Sequence, residues 1–185
     1  MKYRFTSLLI ISSLWACQPT SEEHQHDHTQ ATAQEGTQKS PSRTAMDNIG
    51  DTHVHITYNA PSVRGRTIWG GLVAYDEVWV TGAHNDTTID FYEDVVIYGQ
   101  TLPKGKYAFF TIPSEEEWSV IFNKNWEQHL TDEYDAKEDV LRFQVKPQES
   151  DHTEQLLYKV VPGEKGEGKI VMQWEKIKIE VEVKA

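Results

Sequence analysis

The chain has 185 residues, with 18 Lys and Arg against 29 Asp and Glu, a formal net charge of −11. That balance excludes a nucleic-acid surface built on a basic domain and adhesion to anionic lipid by charge. A single Cys excludes an internal disulfide framework and any multi-cysteine metal or cluster site, while 6 Trp, 8 Tyr and 6 Phe can still supply a core.

The N-terminus reads as an address. Lys2 and Arg4 form a short positive region, and Phe5 to Ala16 is an apolar stretch too short to span a bilayer. It ends Leu14-Trp15-Ala16-Cys17, which resembles a bacterial lipobox. Residues 1–16 are therefore expected to be a lipoprotein signal peptide and Cys17 the lipidation site. Acyl chains on Cys17 would make the membrane a partner and place the protein at the cell envelope, at the outer membrane and facing periplasm or surface.

Residues 17–50 are expected to be a polar tether. From Gln18 the segment has no aromatic residue and almost no large aliphatic one, so it cannot bury enough apolar surface to offset its ordering entropy. His24, His26 and His28 alternate within it, a tract able to hold Zn, Cu or Ni loosely. A short helix over Ser42 to Asn48 is a further expectation.

Residues 51–185 are expected to form one all-β domain. Alternation of period two marks strands at 53–58, 78–81, 87–91, 94–98, 107–112, 118–122, 140–145, 155–160, 169–174 and 176–184. The last is the cleanest: Ile177, Ile179, Val181 and Val183 alternate with Lys and Glu. About nine short strands with turn signals between them predict an antiparallel β-sandwich or jelly roll. One weak helix is expected over Asn125 to Ala136.

Three blocks of the chain then become recognisable. They are Tyr58-Asn-Ala-Pro-Ser-Val-Arg-Gly-Arg-Thr-Ile-Trp-Gly-Gly-Leu-Val73, Val78-Trp-Val-Thr-Gly-Ala83 with Thr87-Thr88, and Gly99 to Pro113 continuing through Trp118 to Asn123-Lys124. In order and spacing they resemble a bacterial family known as domain of unknown function 2911, over about residues 40 to 185. The resemblance implies secreted or lipid-anchored proteins, an all-β domain and no established activity. Where the family often has Arg after the Trp and Asn-Glu-Ala after Thr-Gly-Ala, this chain has Val80 and His84-Asn85-Asp86.

Two constellations could carry chemistry. Arg64 and Arg66 flank Gly65 in a Pro- and Gly-rich loop, a spacing that can fork two guanidiniums onto a carboxylate, phosphate or sulfate. The polar loop His84-Asn85-Asp86 is expected to complete that site. Alternatively, both arginines pair with local acids and Asn85-Asp86 makes an ordinary turn. The second constellation is His53 and His55 on one strand face with His84 as a third imidazole, a possible Zn or Cu site.

No nucleophile elbow, P-loop, dinucleotide fingerprint or zinc-protease motif is present. The expectation is a non-catalytic binding module for an anionic small molecule, glycan or envelope protein, with no cofactor and no nucleic acid. A metal-dependent protein or hydrolase and a purely structural envelope component are the alternatives.

Overall fold

The computed structural model describes residues 40–185. The expected signal peptide, Cys17 and the histidine tract lie outside the described residues. Ten strands form two antiparallel sheets. The strands are β1 (Ser42–Ile49), β2 (Thr52–Asn59), β3 (Thr88–Phe91), β4 (Val95–Ile97), β5 (Gln100–Leu102), β6 (Gly105–Ile112), β7 (Trp118–Asn123), β8 (Asp139–Val145), β9 (Gln148–Pro162) and β10 (Glu167–Lys184). The larger sheet has the order β1-β2-β3-β6-β7-β8 and the smaller β5-β4-β10-β9. The fold is a β-sandwich.

Alternation builds the core. In β2, Val54, Ile56 and Tyr58 are buried, while His53, His55 and Thr57 sit half-exposed on the other face. They meet Ile170, Met172, Trp174, Ile179, Val181 and Val183 of β10 across the sandwich. Strands β6 and β7 are nearly continuously buried because their outer face is covered too. There Val80, Ala108, Phe110 and Ile121 form a second cluster, roofed by Trp126 and Tyr134.

Several elements differ from the sequence expectation. Ser42–Ile49 is strand β1 rather than helix or tether. It pairs with β2 along its whole length, from Ser42↔Asn59 to Ile49↔Thr52, closed by the two-residue turn Gly50-Asp51 with Gly50 at φ +54°. Residues 125–136 form no α-helix, only a 3-10 turn at Ala136–Glu138. Their backbone groups bond elsewhere: Leu130 N–H donates to the His84 carbonyl at 2.8 Å, Gln128 Nε2 to the Asn125 carbonyl at 2.7 Å, and Leu130 itself is at φ +52°. The strand expected at 78–81 shrinks to one bridge, Trp79↔Thr111, because Thr81 turns to φ +50°.

The expected strands 169–174 and 176–184 are one strand, β10. Its register against β9 shifts on both sides of Glu175, whose φ is +55°. Before that point the even residues 170, 172 and 174 face the core; after it the odd residues 179, 181 and 183 do. The irregularity turns the strand over so that both halves bury their apolar side chains.

Candidate functional site

The long connection from β2 to β3, residues 60–87, carries the candidate residues. Its start is stitched to β9: Val63 N–H donates to the Glu154 carbonyl at 2.8 Å, and Leu156 N–H to the Pro61 carbonyl at 2.9 Å. Arg64 and Gly65, at φ +50° and +67°, are then the central residues of a tight turn closed by Arg66 N–H on the Val63 carbonyl at 3.0 Å. Gly65 is there for its left-handed conformation, since space around its Cα is open.

Both arginines of that turn line the same cavity. The Glu154 carboxylate accepts the Arg64 backbone N–H at 2.9 Å. The Arg66 guanidinium folds back onto its own loop, donating to the Ser62 carbonyl at 2.6 Å and the Val63 carbonyl at 3.1 Å. Two of its five donors are thereby spent on fixing its position, and among the described residues none is spent on a carboxylate.

Arg64, Arg66 and His84 line one cavity of about 400 Å³, with Trp79, Leu130 and Trp174 as apolar wall. Trp79 and Trp174 stack with centroids 5.8 Å apart, and Trp69 packs edge-on against each. The indole N–H of Trp79 is used on the Gly82 carbonyl at 3.2 Å; that of Trp174 is buried without a partner.

The backbone around this cavity is strained. Arg64, Thr81 and His84 are all non-glycine residues at positive φ, and Thr81 is β-branched as well. Thr81 is fully buried and held from three sides. Its carbonyl accepts from Tyr158 Oη at 2.7 Å and Thr87 Oγ1 at 3.1 Å, and its hydroxyl meets Thr111 Oγ1 at 3.0 Å. Such strain persists only where neighbours enforce it, and it concentrates at functional sites. Gly82 follows because a Cβ there would lie 2.6 Å from Thr87 Oγ1.

The polar loop divides at this point. His84 belongs with the arginines, but Asn85 and Asp86 line a second cavity, also about 400 Å³, with Thr57, Lys106 and Trp126. Pairing of Asn85 with His129 folds residues 125–134 over Asp86, which is only 6% exposed. Burial pushes the Asp86 carboxyl up to about 7, opposed in part by the nearby Gln128 backbone amide.

The histidines do not converge. His53 bonds Asn48 Oδ1 through Nδ1 at 2.9 Å and packs edge-on against Tyr92 and His55, the latter with centroids 6.3 Å apart. His84 sits in the arginine cavity instead, and Asp86 in the other. Among the described residues no group of three or more His, Cys, Asp or Glu is placed to hold a metal ion.

Sequence reasoning takes Trp79 and Trp174 as core rather than cavity wall, and it missed Leu130 as wall and Glu154 as the anchor of the arginine turn. No local signal marks them, because they come from distant parts of the chain. A larger cavity of about 560 Å³ beside Tyr98 and the β9–β10 turn is lined by Glu164 and Glu182 and by two lysines that are already paired, Lys184 with Glu167 and Lys169 with Glu180.

The fold and this cavity define an all-β sandwich with a cationic, tryptophan-walled cleft. The chain belongs to the family described as protein of unknown function (DUF2911), whose model matches residues 40–183. No curated protein and no solved structure matches the chain.

Proposed function

We propose that this domain is a non-catalytic binding module for a small anionic molecule, carried at the cell envelope by a lipidated Cys17. The observation that carries the reading is the convergence of Arg64, Arg66 and His84 on one cleft in a chain of net charge −11. An acidic protein repels anions at long range, so a local cluster of donors is informative. Arg66 is pre-positioned by two backbone carbonyls, which lowers the ordering cost of binding. The stacked indoles favour a ligand with an apolar or aromatic body beside its anionic head.

The lipid anchor rests on the sequence around Cys17, and the ligand class on the donors in the cleft. The test is thermal unfolding of the full chain against inorganic phosphate, sulfate, benzoate and indole-3-acetate. The aromatic carboxylates should raise Tm in a saturable manner, with the rise lost in Arg64→Ala. A rise of equal size in that variant, or none with any of the four, contradicts the reading.

A further inference from the structure

The second cavity has the opposite chemistry. Asp86 and Gln128 both line it, and they are 6% and 7% exposed. Among the described residues no side chain bonds either Asp86 carboxylate oxygen, whose one near partner is the Gln128 backbone amide, and Gln128 Oε1 has no partner. Buried acceptors left unpaired are costly, and folded proteins rarely keep three together. The Gln128 amide is not free to turn, because its Nε2 is held by the Asn125 carbonyl at 2.7 Å. Its oxygen is therefore the atom left over. Lys106 lines the same cavity but forms no ion pair with Asp86. Its Nζ lies 4.5 Å from the centroid of the Trp126 ring instead. That contact shows the indole face to be a place where a cation rests.

A carboxylate, an amide oxygen and an indole around one cavity are complementary to a group that is all donor and positively charged. We infer that this cavity binds the ammonium or guanidinium group of a small organic cation, with Asp86 as counter-ion, Gln128 Oε1 as second acceptor and Trp126 as wall. The site is separate from the arginine cleft and stands or falls independently of it. The two share one loop, His84 serving the cleft and Asp86 this cavity.

The pH dependence follows from the groups that face Asp86. Lys106 comes from β6; Glu127, His129 and Glu133 come from residues 125–134; β2 and β3 contribute Thr57 and Thr88, which do not titrate. Burial raises the Asp86 carboxyl to about 7. A bound cation needs the carboxylate, so affinity rises as pH passes upward through that value.

The experiment is calorimetric titration of the full chain with agmatine, at about pH 8 and about pH 6, beside Asp86→Asn. The expected result is saturable one-to-one binding that weakens several-fold at the lower pH and at least tenfold in Asp86→Asn. Urea unfolding of that variant at about pH 8 should show it no less stable than the parent, so that lost binding is not lost fold. Lys106→Met, which removes the internal cation, should tighten agmatine binding. Absence of agmatine binding overturns the inference, as does equal affinity in Asp86→Asn. So does equal binding of a neutral polyol such as glucose, which would mark a hydroxyl site.

Discussion

The Tyr158 hydroxyl donates to the Thr81 carbonyl at 2.7 Å, joining residues 77 positions apart. Tyr158 stands on β9 in the smaller sheet, and Thr81 is the strained residue three positions before His84. The bond ties the candidate loop to the opposite sheet through the core. Tyr58 of β2 completes the link, its hydroxyl accepting the Tyr158 backbone N–H at 3.3 Å. Full burial holds the Tyr158 phenol well above its usual range, so it acts as a donor throughout the accessible pH range.

Tyr158→Phe removes that donor. The Thr81 carbonyl keeps Thr87 Oγ1, so the cost should be about 1 kcal/mol. Urea unfolding measures it. The same variant should bind anions more weakly, because His84 loses its support. Unchanged anion affinity would separate the bond from the cleft.

Both arginines should matter for affinity. Arg64→Ala removes a charge at the cleft and should lower the affinity for an aromatic carboxylate about tenfold or more, a loss of about 1.5–3 kcal/mol in a charge-assisted hydrogen bond. Arg66→Ala should lower both affinity and stability, because that guanidinium also closes its own loop on Ser62 and Val63. Arg66→Lys should recover little, since an ammonium cannot reproduce the fork. Paired unfolding and titration curves distinguish the two.

Asp86 sets a slope of stability with pH. Its carboxyl ionises at about 7 in the folded chain, against 3.8 as the ordinary value. Between these values the folded state holds a proton that the unfolded state has released. Stability from this group therefore falls as pH rises from about 4 to about 7, and is level above. Asp86→Asn abolishes the slope. Relative to the parent, the variant should gain stability on moving from about pH 4 to about pH 8, as followed by urea midpoints. A gain in the reverse direction would contradict the burial of an unpaired carboxyl.

Glu175 marks the point where β10 turns over. A left-handed conformation costs an ordinary residue roughly 1–2 kcal/mol and a glycine little. Glu175→Gly should be neutral or stabilising despite losing the contact of its carboxylate with Lys176 N–H. Glu175→Val should destabilise, since a β-branched residue resists positive φ. The denaturant midpoint of Glu175→Gly should equal or exceed the parent's, and that of Glu175→Val should fall below it.

Where one sheet face is buried and the other wet, the sequence was readable. Strands β2, β8 and the end of β10 follow from alternation alone. Strand β1 was not, because all its residues but Ala45 and Ile49 are exposed and its place comes from backbone pairing with β2. Residues 125–134 misled for another reason. Trp126, Leu130 and Tyr134 recur every fourth position, as on a helix, yet Trp126 and Tyr134 roof the outer cluster while Leu130 walls the cleft. The arginine cleft was legible in part: Arg64, Arg66 and His84 meet, although they lie on separate turns of one long loop. Asn85 and Asp86 were assigned to the same site, and the bridge from Asn85 to His129 carries them into the other cavity. The burial of Asp86 depends on a distant segment folding over it, which no local pattern could reveal.

The most direct test of the cationic cleft is calorimetric titration of benzoate into the full chain and into an Arg64→Ala/Arg66→Ala double variant, each checked for cooperative unfolding. The account predicts one saturable site in the parent, weakening as salt is raised, and no measurable binding in the folded double variant. Undiminished binding in that variant, or no binding to the parent, would contradict it.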